Sequence, residues 1–114
     1  MTLRFDYIHD GGEIYARSFA TIRAESNLSR FTPEQEKIAV RMIHACGMVD
    51  LVDDIAWGGD PVAASRAALA KGAPILADAR MVASGIIVAR LPKTEIVCAI
   101  GEEETADQIG RAHV

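Results

Sequence analysis

The sequence predicts one small α/β domain, and three observations support this prediction. Helix signals dominate the first half of the chain, short runs rich in β-branched residues follow in the second half, and a further helix lies between them. The 114 residues suffice for one domain, and no repeat or low-complexity tract interrupts them. Half of the residues are hydrophobic, a composition that excludes an intrinsically disordered chain.

Two helices are predicted in the first half of the chain. The string DGGE at 10–13 is typical of an N-terminal cap, and apolar residues then recur at helical spacing to about Glu25. A second helix begins with the cap and first-turn proline at 32–33 and ends at Gly47, because glycine readily adopts the left-handed conformation that stops a helix. We expect one apolar stripe of this helix to face the core, formed by Ile38, Ala39, Met42, Ile43 and Cys46.

One helix and three strands are predicted in the second half. Asp60 is a cap residue followed by proline, and the Ala-rich helix that it begins ends at Gly72. The apolar segment 73–78 is short and reads as a strand. The β-branched runs 86–91 and 95–100 predict two more strands, separated by a Pro-Lys-Thr turn.

Charge and cysteine content exclude several classes of protein. The net charge of −4 argues against a nucleic-acid-binding domain, which normally carries a basic patch. Cys46 and Cys98 are too few for a disulfide framework and are expected to be reduced thiols. The start of the chain lacks the apolar core of a signal peptide, and no apolar run reaches the roughly 18 residues of a spanning helix. We therefore expect a soluble, cytoplasmic protein.

His44 is the most informative candidate for catalysis. The predicted apolar stripe centres near Met42 and Cys46, so His44 is expected nearly opposite, on a face with Lys37 and Arg41. This placement argues against a buried core histidine and leaves two interpretations. One is a surface histidine favoured by the dipole at the helix C-terminus. The other is a general acid, because an imidazole ordinarily titrates at about pH 6.5 and exchanges protons at neutral pH.

Three further residues are candidates for a ligand site. Asp78 follows a predicted strand, and ligands of open α/β sheets gather beyond the carboxyl ends of strands, so Asp78 and Arg80 could face such a site. Asp78 is equally consistent with a cap of the turn after the strand. Ser18 is predicted near the apolar face of the first helix, where its hydroxyl needs a partner. That partner is either a site group or a backbone carbonyl one turn back.

Other chemistries find no support in the sequence. His44 and Cys46 are two positions apart on a helix and do not face each other, and no second pair has zinc-ligand spacing. There is no nucleophile elbow, phosphate-binding loop or dinucleotide fingerprint. We therefore predict no metal site.

Several strings, taken together, resemble the precorrin-8X methylmutase family. Their order and spacing match from about residue 5 to residue 100. Any one string is weak, whereas the ordered set is specific. The strings are DYI at 6–8 with DG at 10–11, IYARSF at 14–19, RMIHACG at 41–47, GAPI at 72–75 and DARMV at 78–82.

This resemblance implies a flavodoxin-like three-layer α/β sandwich with a mostly parallel sheet, of which the chain would hold the N-terminal part. It implies a cofactor-free isomerase of cobalamin biosynthesis, homodimeric, with active sites near the subunit interface. Such an enzyme moves a methyl group between adjacent ring carbons of precorrin-8X, giving hydrogenobyrinate, or converts the cobalt form to cobyrinate.

The resemblance also assigns residue roles. His44 matches the family residue that protonates the macrocycle, and Ser18 matches a substrate-binding serine. The remaining matches are expected to bind the polycarboxylate corrinoid substrate, and they are Arg17, Arg41, Asp78 and Arg80.

The last six residues of the chain match a translated adapter sequence. Residues 109–114 are what results from translating ATCGGAAGAGCACACGTC, the start of a common sequencing adapter. We therefore predict a domain over residues 1–107 and a read-through tail over 108–114, in which His113 has no functional role. Because family members are roughly twice as long, two alternatives stay open: a non-catalytic tetrapyrrole-binding domain, and an inactive truncated fragment.

Overall fold

The computed structural model describes residues 4–101 and divides the chain into two compact units, Met1–Gly59 and Asp60–Val114. The predicted tail over 108–114 lies outside the described residues. No helix within residues 4–101 combines the length and the hydrophobicity that a membrane crossing requires.

The first unit is built on two helices, α1 (Gly11–Glu25) and α2 (Pro33–Cys46), followed by a 3₁₀ helix at Val49–Asp54. The predicted start of α1 is confirmed, because the Asp10 carboxylate accepts a hydrogen bond of 2.7 Å from the backbone N–H of Glu13. Its predicted end at Glu25 is confirmed as well.

Both predicted ends of α2 are confirmed. The Thr32 hydroxyl accepts from the Gln35 N–H, and the Gln35 side chain accepts in return from the Thr32 N–H, so that two otherwise unpaired donors are satisfied. At the other end Gly47 has a φ of 71°, a left-handed conformation that glycine adopts without steric cost.

The core of the first unit includes Ala39 and Ile43 of the predicted apolar stripe, but its centre is displaced toward Val40. Val40 and Ile43 are each 1% exposed, whereas Met42 is 41% exposed and Cys46 is also exposed. The predicted centre of the stripe is therefore wrong. The face of α2 that contains Val40 packs against α1 and the 3₁₀ helix. Val40 and Met42 are both apolar, so residue type alone did not show which of the two faces is buried. The buried residues are Ile22, Phe31, Ala39, Val40, Ile43, Val52 and Ile55.

The second unit combines short helices with two parallel strands. The Asp60 side chain accepts from the Ala63 N–H and caps the first helix, as predicted. Strands β1 and β2 pair in parallel, with Ile75 opposite Ile96. The elements are α3 (Pro61–Ala70), β1 (Ile75–Leu76), α4 (Arg80–Gly85), a 3₁₀ helix (Val88–Arg90) and β2 (Ile96–Val97). This mixture of helices with a parallel pair agrees with the predicted α/β class.

The prediction of a strand over 86–91 is wrong, because this segment contains a 3₁₀ helix. The N–H groups of Arg90 and Leu91 bond to carbonyls three residues earlier, those of Ile87 and Val88, and so form a 3₁₀ turn. A β-branched run becomes a strand only when a neighbouring strand pairs with it. The segments 73–78 and 95–100 do contain strands, but each strand is two residues long.

Burial differs sharply between the two units. Among residues 4–101, all seven buried residues lie in the first unit and none lies within 60–101. In the second unit Leu76 and Met81 are 78% and 84% exposed, although both are apolar. The described part of the second unit therefore has no enclosed hydrophobic core.

Candidate functional site

The two helices of the first unit bring Ser18 and His44 together. Ser18 Oγ lies 2.7 Å from His44 Nδ1, although the residues are 26 positions apart in the chain. Both side chains are half-buried. The Ser18 hydroxyl thus has a side-chain partner, and the alternative of a backbone carbonyl one turn back is not what the structure shows. That kind of bond is made instead by Thr21, whose hydroxyl donates to the Arg17 carbonyl at 3.0 Å.

His44 lies at the edge of the buried face of α2, not opposite the core as the sequence predicted. The core face is centred on Val40 and Ile43. His44 follows Ile43 and lies one helical turn after Val40, so its side chain is near this face and turns toward α1. The imidazole contacts two aromatic rings of α1. The ring centroids of Tyr15 and His44 are 5.2 Å apart at an interplanar angle of 36°. Those of Phe19 and His44 are 5.3 Å apart and nearly perpendicular, at 77°.

Ser18 and His44 line a groove of about 270 Å³. The groove is open to solvent, so a ligand could approach the histidine without any opening of the helix pair. Its other walls come from the second half of α1 and from the end of α2, where Gly47 contributes no side chain. The full lining is Ser18, Thr21, Ile22, Glu25, Ile43, His44, Gly47 and Val49.

Two predicted arginines lie on the same helices as the Ser18–His44 pair. The Arg41 guanidinium stacks 5.2 Å from the centroid of the Phe19 ring, and Arg17 is exposed on α1. Neither has a carboxylate partner among residues 4–101, whereas Lys37 and Arg23 pair with Glu34 and Glu36. Arg17 and Arg41 therefore have positive charge available for an anionic ligand.

Asp78 and Arg80 lie in the second unit, just beyond the carboxyl end of β1. Asp78 is exposed and makes no hydrogen bond to any other residue between 4 and 101. The residue at the cap position of α4 is Ala79, which has no capping group, so the capping alternative for Asp78 is not observed. The Arg80 guanidinium lies against Gly101, where a Cβ would clash with it. Arg80 therefore sits beside the segment that follows β2 as well.

Metal chemistry has no ligand set in the described part of the chain. Residues 4–101 contain no group of three or more histidine, cysteine or carboxylate side chains that could hold an ion.

The sequence did not identify Tyr15 and Phe19, whose rings contact His44, as residues of the candidate site. Tyr15, Ser18 and Phe19 have helical i, i+3, i+4 spacing and share one face of α1. This spacing is visible in the sequence, but only the position of α2 shows that the face meets a histidine.

Comparison with known proteins identifies the family of this chain. The family model described as precorrin-8X methylmutase matches residues 13–113. The chain belongs to this methylmutase family. A precorrin-8X methylmutase from Pseudomonas aeruginosa is 56% identical over 100 residues, which cover 87% of this chain and 48% of the relative. One from Sinorhizobium sp is 52% identical over 102 residues, covering 89% and 49%.

The chain therefore spans about half the length of the curated relatives that it matches. The family match confirms the resemblance carried by the sequence motifs, and the family is one of methylmutases, which are isomerases of cobalamin biosynthesis. The matched range includes both members of the Ser18–His44 pair and all four of the other predicted site residues.

Proposed function

We propose that this chain supplies the proton-transfer residue of a precorrin-8X methylmutase. The reaction moves a methyl group between adjacent ring carbons of precorrin-8X to give hydrogenobyrinate, or of the cobalt form to give cobyrinate. The observation that carries the proposal is the 2.7 Å hydrogen bond between Ser18 and His44 in the wall of an open groove.

In this proposal Ser18 fixes the direction of the imidazole and the location of its protons. With His44 protonated, the Nδ1–H donates to Ser18 Oγ and Nε2 carries the second proton. Transfer of the Nε2 proton to the macrocycle leaves a neutral imidazole whose Nδ1–H still donates to Ser18. Nε2 then has a free lone pair and takes the proton back after the shift.

The proton makes the macrocycle electron-poor, which favours migration of the methyl group with its bonding electrons to the neighbouring carbon. One carbon–methyl bond breaks and one forms, and the proton returns to His44, so the product is an isomer of the substrate. The methyl group stays within one molecule, and the proposed reaction therefore requires no cofactor and no metal.

The substrate is a polycarboxylate, and the arginines that lack carboxylate partners match its charge. We assign Arg17 and Arg41 to carboxylates near His44, because charge-assisted hydrogen bonds to arginine are strong and directional. Asp78 and Arg80 are proposed as further substrate-binding residues from the second unit. The overall charge of −4 makes such local cations necessary for an anionic ligand.

The proposal extends to the fold and assembly of the whole enzyme. The parallel pairing of β1 with β2 supports a flavodoxin-like three-layer sandwich with a mostly parallel sheet, of which this chain forms the N-terminal part. We further propose a homodimer with active sites near the subunit interface, as the family resemblance implies, and we propose a cytoplasmic location.

The test uses a hybrid enzyme, in which residues 13–101 of this chain replace the matching residues of the Pseudomonas aeruginosa relative. Conversion of precorrin-8X is followed by absorbance in single turnover, and binding is measured by titration. His44→Ala is expected to lower turnover at least about a hundredfold, the lower range of general acid catalysis, and to leave binding nearly unchanged. His44→Asn should lower turnover almost as much, because an amide forms hydrogen bonds but does not transfer its proton to the substrate.

Thr21→Ala is the matched control, because Thr21 lines the same groove but bonds only to its own helix. Near-normal turnover in His44→Ala would remove the proton-transfer role. An unsubstituted hybrid that binds the substrate without converting it would favour a tetrapyrrole-binding domain, and one that does neither would favour an inactive fragment.

A further inference from the structure

The proposed reaction uses no group of Tyr15, yet the Tyr15 ring lies against the proposed proton donor. The Tyr15 and His44 centroids are 5.2 Å apart at 36°, within the range of attractive aromatic pairs. Tyr15 is 49% exposed and does not belong to the buried core. Its hydroxyl makes no hydrogen bond to any residue between 4 and 101. The ring, and not the hydroxyl, is therefore the part of Tyr15 that contacts His44.

A single hydrogen bond does not hold an imidazole in one plane. The terminal torsion of histidine is broad, so the side chain itself sets the ring orientation only weakly. The bond from Ser18 fixes the position of Nδ1 but leaves the ring free to tilt about the line between the two atoms. A tilt of this kind moves Nε2, the atom that must reach the substrate. A second contact, against the face of the ring, removes this freedom.

We propose that Tyr15 is a positioning residue for His44: the contact with the Tyr15 ring sets the plane of the imidazole, while the bond to Ser18 sets its direction. Phe19 completes the enclosure from α1, meeting His44 nearly at a right angle and the Tyr15 ring at a centroid distance of 5.8 Å. The catalytic consequence rests on the proposed function of His44, whereas the positioning itself does not.

The first test is nuclear magnetic resonance on the full chain, and it needs no substrate. Nuclear Overhauser effects are expected between the ring protons of Tyr15 and His44. Tyr15→Leu keeps an apolar side chain but removes the ring current, so the carbon-bound protons of His44 should shift, whereas Tyr15→Phe should leave them nearly unchanged. Ile14→Ala is the matched control, since Ile14 is a neighbour on α1 with similar exposure, 46%. Equal shifts in Tyr15→Leu and Ile14→Ala would overturn the proposal.

The second test measures turnover in the hybrid enzyme. Small displacements of a reacting group cost up to about a hundredfold in rate, so Tyr15→Leu is expected to lower kcat about 10- to 100-fold with an unchanged KM. Tyr15→Phe should restore the rate, and Ile14→Ala should not alter it. Because Tyr15 is outside the core, the Tm of Tyr15→Leu should stay close to that of the unsubstituted enzyme.

The possible outcomes separate the roles. A defect in Tyr15→Phe as large as that in Tyr15→Leu would assign the effect to the hydroxyl and overturn the proposal. A rise in KM without a fall in kcat would make Tyr15 a substrate contact and would also overturn it. If the unsubstituted hybrid does not convert precorrin-8X, the proposed function fails, and the resonance experiment alone then decides the positioning role.

Discussion

Replacement of Ser18 by alanine tests the central contact of the site. The substitution removes the only hydrogen bond that the His44 side chain makes within residues 4–101. A hydrogen bond of this kind contributes about 0.5–1.5 kcal/mol net to stability. Because the groove is open, water can replace the hydroxyl at Nδ1, so we expect a cost of at most about 1 kcal/mol. The Tm should then fall by at most about 8 °C.

The expected effect on catalysis is larger than the effect on stability. Without the serine, the imidazole loses the contact that fixes Nδ1, and Nε2 no longer has one direction. We expect single-turnover conversion in the hybrid enzyme to fall about 10- to 100-fold, with substrate affinity nearly unchanged. Thr21→Ala, which removes a hydroxyl from the same groove, should reduce conversion little.

A double-mutant cycle identifies the route of the effect. If Ser18 acts through His44, then Ser18→Ala should cost nothing further in a His44→Ala background, because residues that act as a unit are strongly non-additive. Additive losses would refute this reasoning and would give Ser18 a direct role in binding the substrate. A Ser18→Ala enzyme with unaltered turnover would refute it as well.

Two other predictions follow from the described contacts, and a third concerns the predicted tail. Ile43→Ala should lower the free energy of unfolding by about 2–5 kcal/mol in urea titrations, because Ile43 is 1% exposed, whereas exposed Met42→Ala should change it by less than about 1 kcal/mol. Arg41→Ala should weaken substrate binding about tenfold or more, with a smaller effect on turnover. Lys37→Ala removes a cation that is already paired with Glu34 and should leave substrate binding unchanged. Equal losses of binding in the two variants would contradict the assignment of Arg41. Native genomic DNA across codons 108–114 should differ from the adapter sequence, and an identical sequence there would disprove the read-through tail.

Helix ends could be predicted from the sequence because their determinants are local. A cap needs one side chain and a backbone N–H three residues away, as at Asp10 and Asp60, and a left-handed stop needs only glycine, as at Gly47. The prediction of a strand over 86–91 was wrong because the determinants of a strand are not local. Its residue types favour a strand, but a strand needs a partner that lies elsewhere in the chain, and local bonds formed a 3₁₀ turn instead.

The sequence named Ser18 and His44 as candidates but could not predict the contact between them. Resemblance to the family selected Ser18 and His44 separately, and helical periodicity even placed His44 on the wrong side of α2. The error came from counting Met42 and Cys46 as core residues, which turned the predicted buried face away from Val40. The contact between Ser18 and His44 spans 26 residues, and no local pattern specifies which face of one helix meets which face of another.

The division of burial between the two units leads us to expect different effects from substitutions at their proposed site residues. Ser18 and His44 belong to the unit that contains every buried residue of the described chain, so packed helices hold the pair at a fixed distance. Asp78 and Arg80 belong to a unit in which no residue within 60–101 is buried. A proton donor must be held to within a fraction of an ångström, whereas a long arginine side chain can reach a carboxylate from several positions. Substitutions at Arg80 should therefore alter affinity, while those around His44 should alter the rate of the methyl shift.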